Sequence, residues 1–204
     1  MDKVPERLKQ QINFIMEIDK LKHIYRQNLV VDGSRRENDV EHSWHLAVMA
    51  MLLQEYSLEP VDLIKVIKMV LLHDLVEIDA GDTFCYDPQA GLDKEERETK
   101  AADRLYSLLP SDQATELRAL WEEFEAKQTA EAKFAACLDR LQPFLNNYYT
   151  EGGTWRIHDV PSHKVQKRLA EVGECAPVLG ELVDLFIQDA IAQGFLREEK
   201  NGPS

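Results

Sequence analysis

The sequence predicts an all-α fold, a bundle of about eight helices. Two observations lead there. Apolar residues recur at spacings of three and four, as in Leu8, Ile12, Ile15, Ile18, Leu21 and Ile24. No period-two alternation persists long enough to make a strand, and no internal repeat is visible. The size fits a single domain with a sizeable core: 204 residues, 44% hydrophobic and 30% charged. Residues 1–196 read as that domain and 197–204 as a flexible tail.

The elements follow in order. The Leu8 to Ile24 stripe makes the first helix. Val31 to Asn38 is a loop around Gly33. Asn38 or Asp39 can cap the next helix, which runs to about Tyr56. Pro60 opens another, with Leu75 to Ile78 near its end and Gly81 at its exit. Asp79 to Asp93, with Pro88 and two glycines, reads as a loop. Helices are expected over Glu95 to Leu109, from Ser111 to about Lys127, and from Thr129 to about Tyr148, the last bent at Pro143. After the Gly152-Gly153 loop, Pro161 opens a helix to about Glu174, and Pro177 begins a last one ending near Gly194.

Composition excludes several function classes. A net charge of -13 argues against binding polymeric DNA or RNA, which needs basic patches. It leaves room for a small phosphorylated substrate, because a bound cation reverses the local field. No stretch of ~18 apolar residues suggests a membrane span, and the charged N-terminus lacks the apolar core of a signal peptide. Cys85, Cys137 and Cys175 form no CxxC pair, so reduced thiols in a cytoplasmic protein are expected.

Four pieces carry chemistry. The most telling is His73-Asp74, an adjacent imidazole and carboxylate inside the apolar run Val70 to Val76. Burying both unpaired would cost several kcal/mol, and a divalent cation accepts both. Glu77, Asp79 and Asp82 follow closely. The second piece is Glu41-His42-Ser43-Trp44-His45 at a helix start. The third is Asp139, another carboxylate in an apolar helical stretch, and the fourth is Arg26 with Arg36. Taken singly each has a plainer explanation: a capping histidine, a satisfied core pair, an ion pair, turn aspartates. Their order, H…HD…D, is harder to dismiss.

That order resembles the HD-domain metal-dependent phosphohydrolases, over roughly Leu21 to Asn147. The likeness is greatest to the small bacterial and archaeal 5′-deoxynucleotidases and their eukaryotic relatives. The strings that carry it are Glu41-His42-Ser43, His73-Asp74 with Glu77, Gly81 and Asp82, and Leu138-Asp139-Arg140-Leu141. The resemblance implies His42, His73, Asp74 and Asp139 as metal ligands and Glu77 as the acid/base residue. It also implies Asp82 facing the sugar or leaving group and Arg26 on the phosphate. In those nucleotidases a tryptophan follows the arginine. Here Gln27 stands there, so the aromatic platform would have to come from Trp44 or Trp155.

The chemistry suits such a set. A divalent cation offsets the repulsion between a phosphomonoester dianion and hydroxide, and lowers the pKa of water. Nitrogen and oxygen ligands without thiolate suit Mn or Co, with Fe, Ni, Zn or Mg as alternatives. Glu77 lies four residues after His73 and three after Asp74, on one face of a continuing helix. Arg26 or Arg36 offers a bidentate fork to phosphate. None of the six histidines falls between Asp74 and Asp139, which favours one metal ion per site over two.

The remaining features are weaker. Asp93 to Lys100 reads as a solvated helical face. Asn146 to Tyr149 with Gly152 to Trp155 is a lid, a dimer contact or an ordinary loop. The amphipathic terminal helices suggest a homodimer. Two rival functions stay open: a non-catalytic metal- or nucleotide-binding module that regulates a partner, and a helical scaffold without metal.

Overall fold

A computed structural model describes residues 4–87 and 92–199. Ten α-helical segments are present among the described residues, and eight of them are ten residues or longer. The parts of the expected Asp79 to Asp93 loop and of the tail that fall on residues 88–91 and 200–204 lie outside the described residues.

Helix α1 spans Glu6–Ile18, and a 3₁₀ turn continues over Asp19–His23. The expected stripe is therefore broken. Leu8, Ile12 and Ile15 are about half exposed, and Phe14 and Leu21 face the core instead. Ile24 has left the helix, and its carbonyl accepts the Asp39 amide at 3.2 Å. A second correction follows at once. Strand β1, Tyr25–Leu29, pairs antiparallel with β2, Arg36–Asn38. This hairpin escaped the sequence pattern because YRQNL does not alternate and β2 has only three residues. Gly33, with φ of 71°, makes the left-handed turn between the strands.

Asn38 caps helix α2, Asp39–Leu53, in a reciprocal box. Its side chain accepts the Glu41 amide at 3.0 Å, and the Glu41 carboxylate accepts the Asn38 amide at 3.2 Å. Helix α3, Leu63–Leu72, is capped by Asp62. The chain then tightens into a 3₁₀ turn over His73–Val76 and resumes as α4, Glu77–Ala80, before Gly81 ends it. Helices α5, Lys94–Tyr106, and α6, Ser111–Ala126, complete one side. The charge-dense start of α5 is not wholly solvated: Glu98 is buried and Lys94 lies 3.4 Å from it.

The central helix is α7, Ala130–Tyr149, capped by Thr129, with Pro143 inside it. Of the Gly152 to Trp155 stretch, Gly152 is a left-handed turn residue and the rest opens a short helix, α8, Gly153–Ile157. Helices α9, Ser162–Cys175, and α10, Pro177–Ala192, form a hairpin against α7. The hairpin requires glycine: a Cβ on Gly180 would sit 2.5 Å from the Gly173 Cα. The start of the expected tail is tied down, since the Ser162 amide donates to the Arg197 carbonyl at 2.9 Å.

Two apolar clusters result. The larger joins α2, α3, α7, α9 and α10 through Leu46, Met69, Phe134, Leu138, Val165 and Ile187. The smaller joins α1, the 3₁₀ turn, α5 and α6 through Phe14, Leu75, Val76, Leu105 and Trp121. His73-Asp74 sits at the seam: Val70 belongs to the first cluster, Leu75 to the second.

Candidate metal and active site

Three helical segments and one strand converge at that seam. His42 comes from the first turns of α2 and is fully buried. Its Nε2 lies 3.0 Å from Asp139 Oδ1 on α7 and 3.9 Å from Asp74 Oδ2. His73 Nε2 lies 3.1 Å from Asp74 Oδ1 and 3.6 Å from Asp139 Oδ1. The two imidazole centroids are 5.6 Å apart. Both rings turn the same atom to this point because the other nitrogen is engaged behind. His73 Nδ1 donates to the Val70 carbonyl at 2.9 Å, and His42 Nδ1 to Gln142 Oε1 at 2.9 Å.

The structure thus brings His42, His73, Asp74 and Asp139 together. One ligand atom each from His42, His73 and Asp139 lie within 4.8 Å of one another. His73 Nε2 is buried without a hydrogen-bond partner. Two imidazole nitrogens and two carboxylates in this arrangement fit a divalent cation. The electrostatics agree. Burial opposes charge on His73, yet the Asp74 and Asp139 carboxylates override it and lift the imidazole to about 10. Burial would also raise Asp74 and Asp139, but the histidines hold both well below the usual carboxylate range, joined at Asp74 by Arg26. The pocket therefore favours positive charge between these groups.

Arg26, on β1, reaches in from the side. Its Nη1 donates to Asp74 Oδ2 at 2.7 Å and to Asp39 Oδ1 at 3.3 Å, and its Nη2 lies 3.9 Å from Asp139. Glu77 stands beside them at the start of α4. The 3₁₀ turn replaces the continuous helix assumed from spacing, but Glu77 still faces inward. One oxygen each from Asp39, Asp74 and Glu77 lie within 4.8 Å of one another. Glu77 Oε2 is buried and unpartnered. Burial, then the Asp74 and Asp39 charges, push Glu77 well above its ordinary range, and burial with Asp74 lifts Asp39 to about 7.

A cleft of about 280 Å³ opens on this cluster. Arg26, Asp74, Glu77, Asp82 and Asp139 line its inner end. Phe84, Tyr86, Phe144 and Trp155 line other parts of the wall, with Lys94 and Arg168 as cations. Asp82 is half-buried there, and burial raises its carboxyl. Gln27 also lines the cleft. Of the two tryptophans considered as aromatic platforms, Trp155 is in the wall, whereas Trp44 is 64% exposed and does not line the cleft.

Arg36 is corrected. It is exposed and absent from the cleft, because side chains alternate along β2 and the inward position belongs to Glu37. Asp79 also stands apart, paired with Arg104 on α5. Sequence reasoning missed Glu37, Asp39 and Gln142 as members of the cluster. Asp39 was visible only as a possible cap. Gln142 carried one usable signal, its position three residues after Asp139 on the same helical face.

Comparison with known proteins agrees with this geometry. A family model described as HD domain matches residues 18–178. The chain is 33% identical over 135 residues to 5′-deoxynucleotidase HDDC2 of Homo sapiens, an alignment covering 66% of this chain and 65% of that protein. It therefore spans slightly under two thirds of that relative's length. A crystal structure from Magnetospirillum magnetotacticum MS-1, described as a "Predicted metal-dependent phosphohydrolase", is 54% identical with a TM-score of 0.90. That match covers 94% of this chain and 96% of the other. The PH0347 protein from Pyrococcus horikoshii OT3 shares the fold, with a TM-score of 0.63 at 21% identity over 87% of this chain and 98% of that one.

Proposed function

Because the chain belongs to the HD-domain family, we propose that it is a metal-dependent phosphohydrolase acting on a small phosphomonoester, a nucleoside or deoxynucleoside 5′-monophosphate. The observation that carries this reading is the convergence of His42 Nε2 and His73 Nε2 on the Asp74 and Asp139 carboxylates, at nitrogen–oxygen distances of 3.0, 3.1, 3.6 and 3.9 Å, with Glu77 beside them. Those four groups would hold one Mn²⁺ or Co²⁺ ion, which supplies charge against the phosphate and lowers the pKa of water.

The chain's own residues do the rest. Glu77, unpartnered at Oε2, accepts the proton of the attacking water and returns it to the leaving oxygen. Arg26 presents its guanidinium to the phosphoryl oxygens, exchanging contacts now made with Asp74 and Asp39. Asp82 receives a hydroxyl of the sugar. The aromatic wall of Phe84, Tyr86 and Trp155 suits a flat base. The nucleotide preference draws support from the 5′-deoxynucleotidase relative, the choice of metal from the nitrogen and oxygen donors.

The test is phosphate release from a panel of nucleoside monophosphates and unrelated phosphate esters, with Mn²⁺ or Co²⁺, beside an Asp74→Ala variant. Release from a nucleoside 5′-monophosphate, lost in the variant, is expected. No release from any ester, or equal release by the variant, overturns it. Tight nucleotide binding without turnover would favour the regulatory module instead.

A further inference from the structure

We propose that Gln142 and Glu37 are positioning residues that lock His42 in its metal-binding tautomer and so set the affinity of the site for a divalent cation. This rests on His42 being a ligand, as read above, and does not depend on the identity of the substrate.

The argument begins at the back of the His42 ring. His42 and Gln142 are both fully buried, so no water can substitute for a missing partner. His42 Nδ1 lies 2.9 Å from Gln142 Oε1. A carboxamide oxygen only accepts, so Nδ1 carries the hydrogen and Nε2 keeps its lone pair. That lone pair faces Asp139 and Asp74, where a cation would sit.

Everything then depends on which way the Gln142 amide points. Flipped, it would present its NH₂ group to Nδ1. The ring would answer by moving its hydrogen to Nε2, and the ligand would be lost. Two neighbours prevent the flip. Gln142 Nε2 donates to Glu37 Oε1 at 2.7 Å, and its other hydrogen faces His45 Nδ1 at 3.3 Å. A reversed amide would set its oxygen against the Glu37 carboxylate, acceptor against acceptor. Glu37 is itself 96% buried by its surroundings, being only 4% exposed, and its oxygen Oε2 lies 3.9 Å from His42 Nδ1. A buried carboxylate is costly to keep. Its position behind a ligand explains why it is kept: it orients the amide that fixes the His42 ring.

His73 shows the contrast. Its Nδ1 is held by the Val70 backbone carbonyl, which no substitution can remove. His42 is the histidine whose tautomer depends on side chains, drawn from β2 and α7. The assembly links residues 37, 42 and 142, which only the tertiary fold brings together.

The test measures Co²⁺ and Mn²⁺ affinity by competition with a chromophoric chelator, together with the visible absorption of the Co²⁺-loaded protein. The proteins are wild type, Gln142→Leu, Glu37→Gln and the double variant, with melting temperature without metal as the folding control. Gln142→Leu should weaken Co²⁺ binding about 10–100-fold and alter the absorption bands. Glu37→Gln should weaken it less, and should add nothing in the Gln142→Leu background, because Glu37 acts through Gln142. Wild-type affinity in Gln142→Leu overturns the proposal. So does a Glu37→Gln effect that persists undiminished in the double variant. If Gln142→Leu does not fold, Glu37→Gln decides alone: unchanged affinity and spectrum overturn the proposal, and weaker binding at an unchanged melting temperature supports it. Because no readout is phosphate release, a protein that binds Co²⁺ but hydrolyses nothing would sink the enzymatic reading and leave this one standing.

Discussion

The apolar core and the polar wall of the cleft are built on the same helices, yet they hold together for opposite reasons. On α7, Phe134, Leu138 and Leu141 are buried among the side chains of α2, α3 and α9. The same helix offers Asp139 to the cleft and Gln142 to the back of the His42 ring. Burial of the first set stabilises the fold in proportion to the area removed from water. The second set places carboxylates and imidazoles where burial is unfavourable, and leaves His73 Nε2, Asp39 Oδ2 and Glu77 Oε2 without partners. The lesson is that stability and chemistry are separable here: substitutions in the two regions should fail in different ways.

The largest expected effect is on chemistry. Glu77→Gln should lower kcat by about 10²–10⁴-fold, while the melting temperature holds or rises. The sign follows from its surroundings, since the change removes one of three buried carboxylates that crowd each other. A melting temperature that falls along with activity would erase the distinction between wall and core.

Phe134→Ala should show the reverse pattern. Phe134 is fully buried in the larger cluster, so truncation should cost about 3–5 kcal/mol of stability. Where the variant remains folded, its affinity for Co²⁺ should match wild type. Denaturant unfolding beside a metal titration checks both halves. A core variant that loses metal affinity while still folded would mean the two regions are coupled.

Arg36→Ala should do almost nothing, within about ±0.5 kcal/mol of stability and with kcat/KM unchanged. Its side chain is exposed and does not line the cleft. A KM that rises severalfold in that variant would show that the phosphate reaches the outer face of the hairpin and would restore Arg36 to the site.

The legibility of the molecule varies along the same divide. Long helices declared themselves through periodicity and caps: α2 begins at the Asn38 cap, α6 at Ser111 after Pro110, and α10 at Pro177, as the residue types require. The hairpin did not, because two strands of five and three residues are too short to show a period. The short helices α4 and α8 were equally hidden. Helix α1 misled in a different way, since its apolar stripe at Leu8, Ile12 and Ile15 lies largely in solvent.

Within the site, His73, Asp74 and Asp139 were visible because metal-competent side chains stand out against apolar neighbours, and His42 through its place in the H…HD…D order. Glu77 and Asp82 were visible because they follow the His-Asp pair closely. Glu37 and Asp39 were not, since a carboxylate in a charged stretch such as Arg35 to Glu41 gives no sign of pointing inward.

The sequence alone thus determined where the long helices run and which residue types are available for metal and phosphate chemistry. Both depend on local spacing and on the cost of burying a given side chain. Only the tertiary structure decided which polar groups meet. Gln142 stands 100 positions from His42, and their 2.9 Å contact arises from α2 packing on α7. The same packing turns Glu37 inward and leaves Arg36 outside, a choice no local pattern contains, because it depends on which face of β2 the rest of the chain happens to cover.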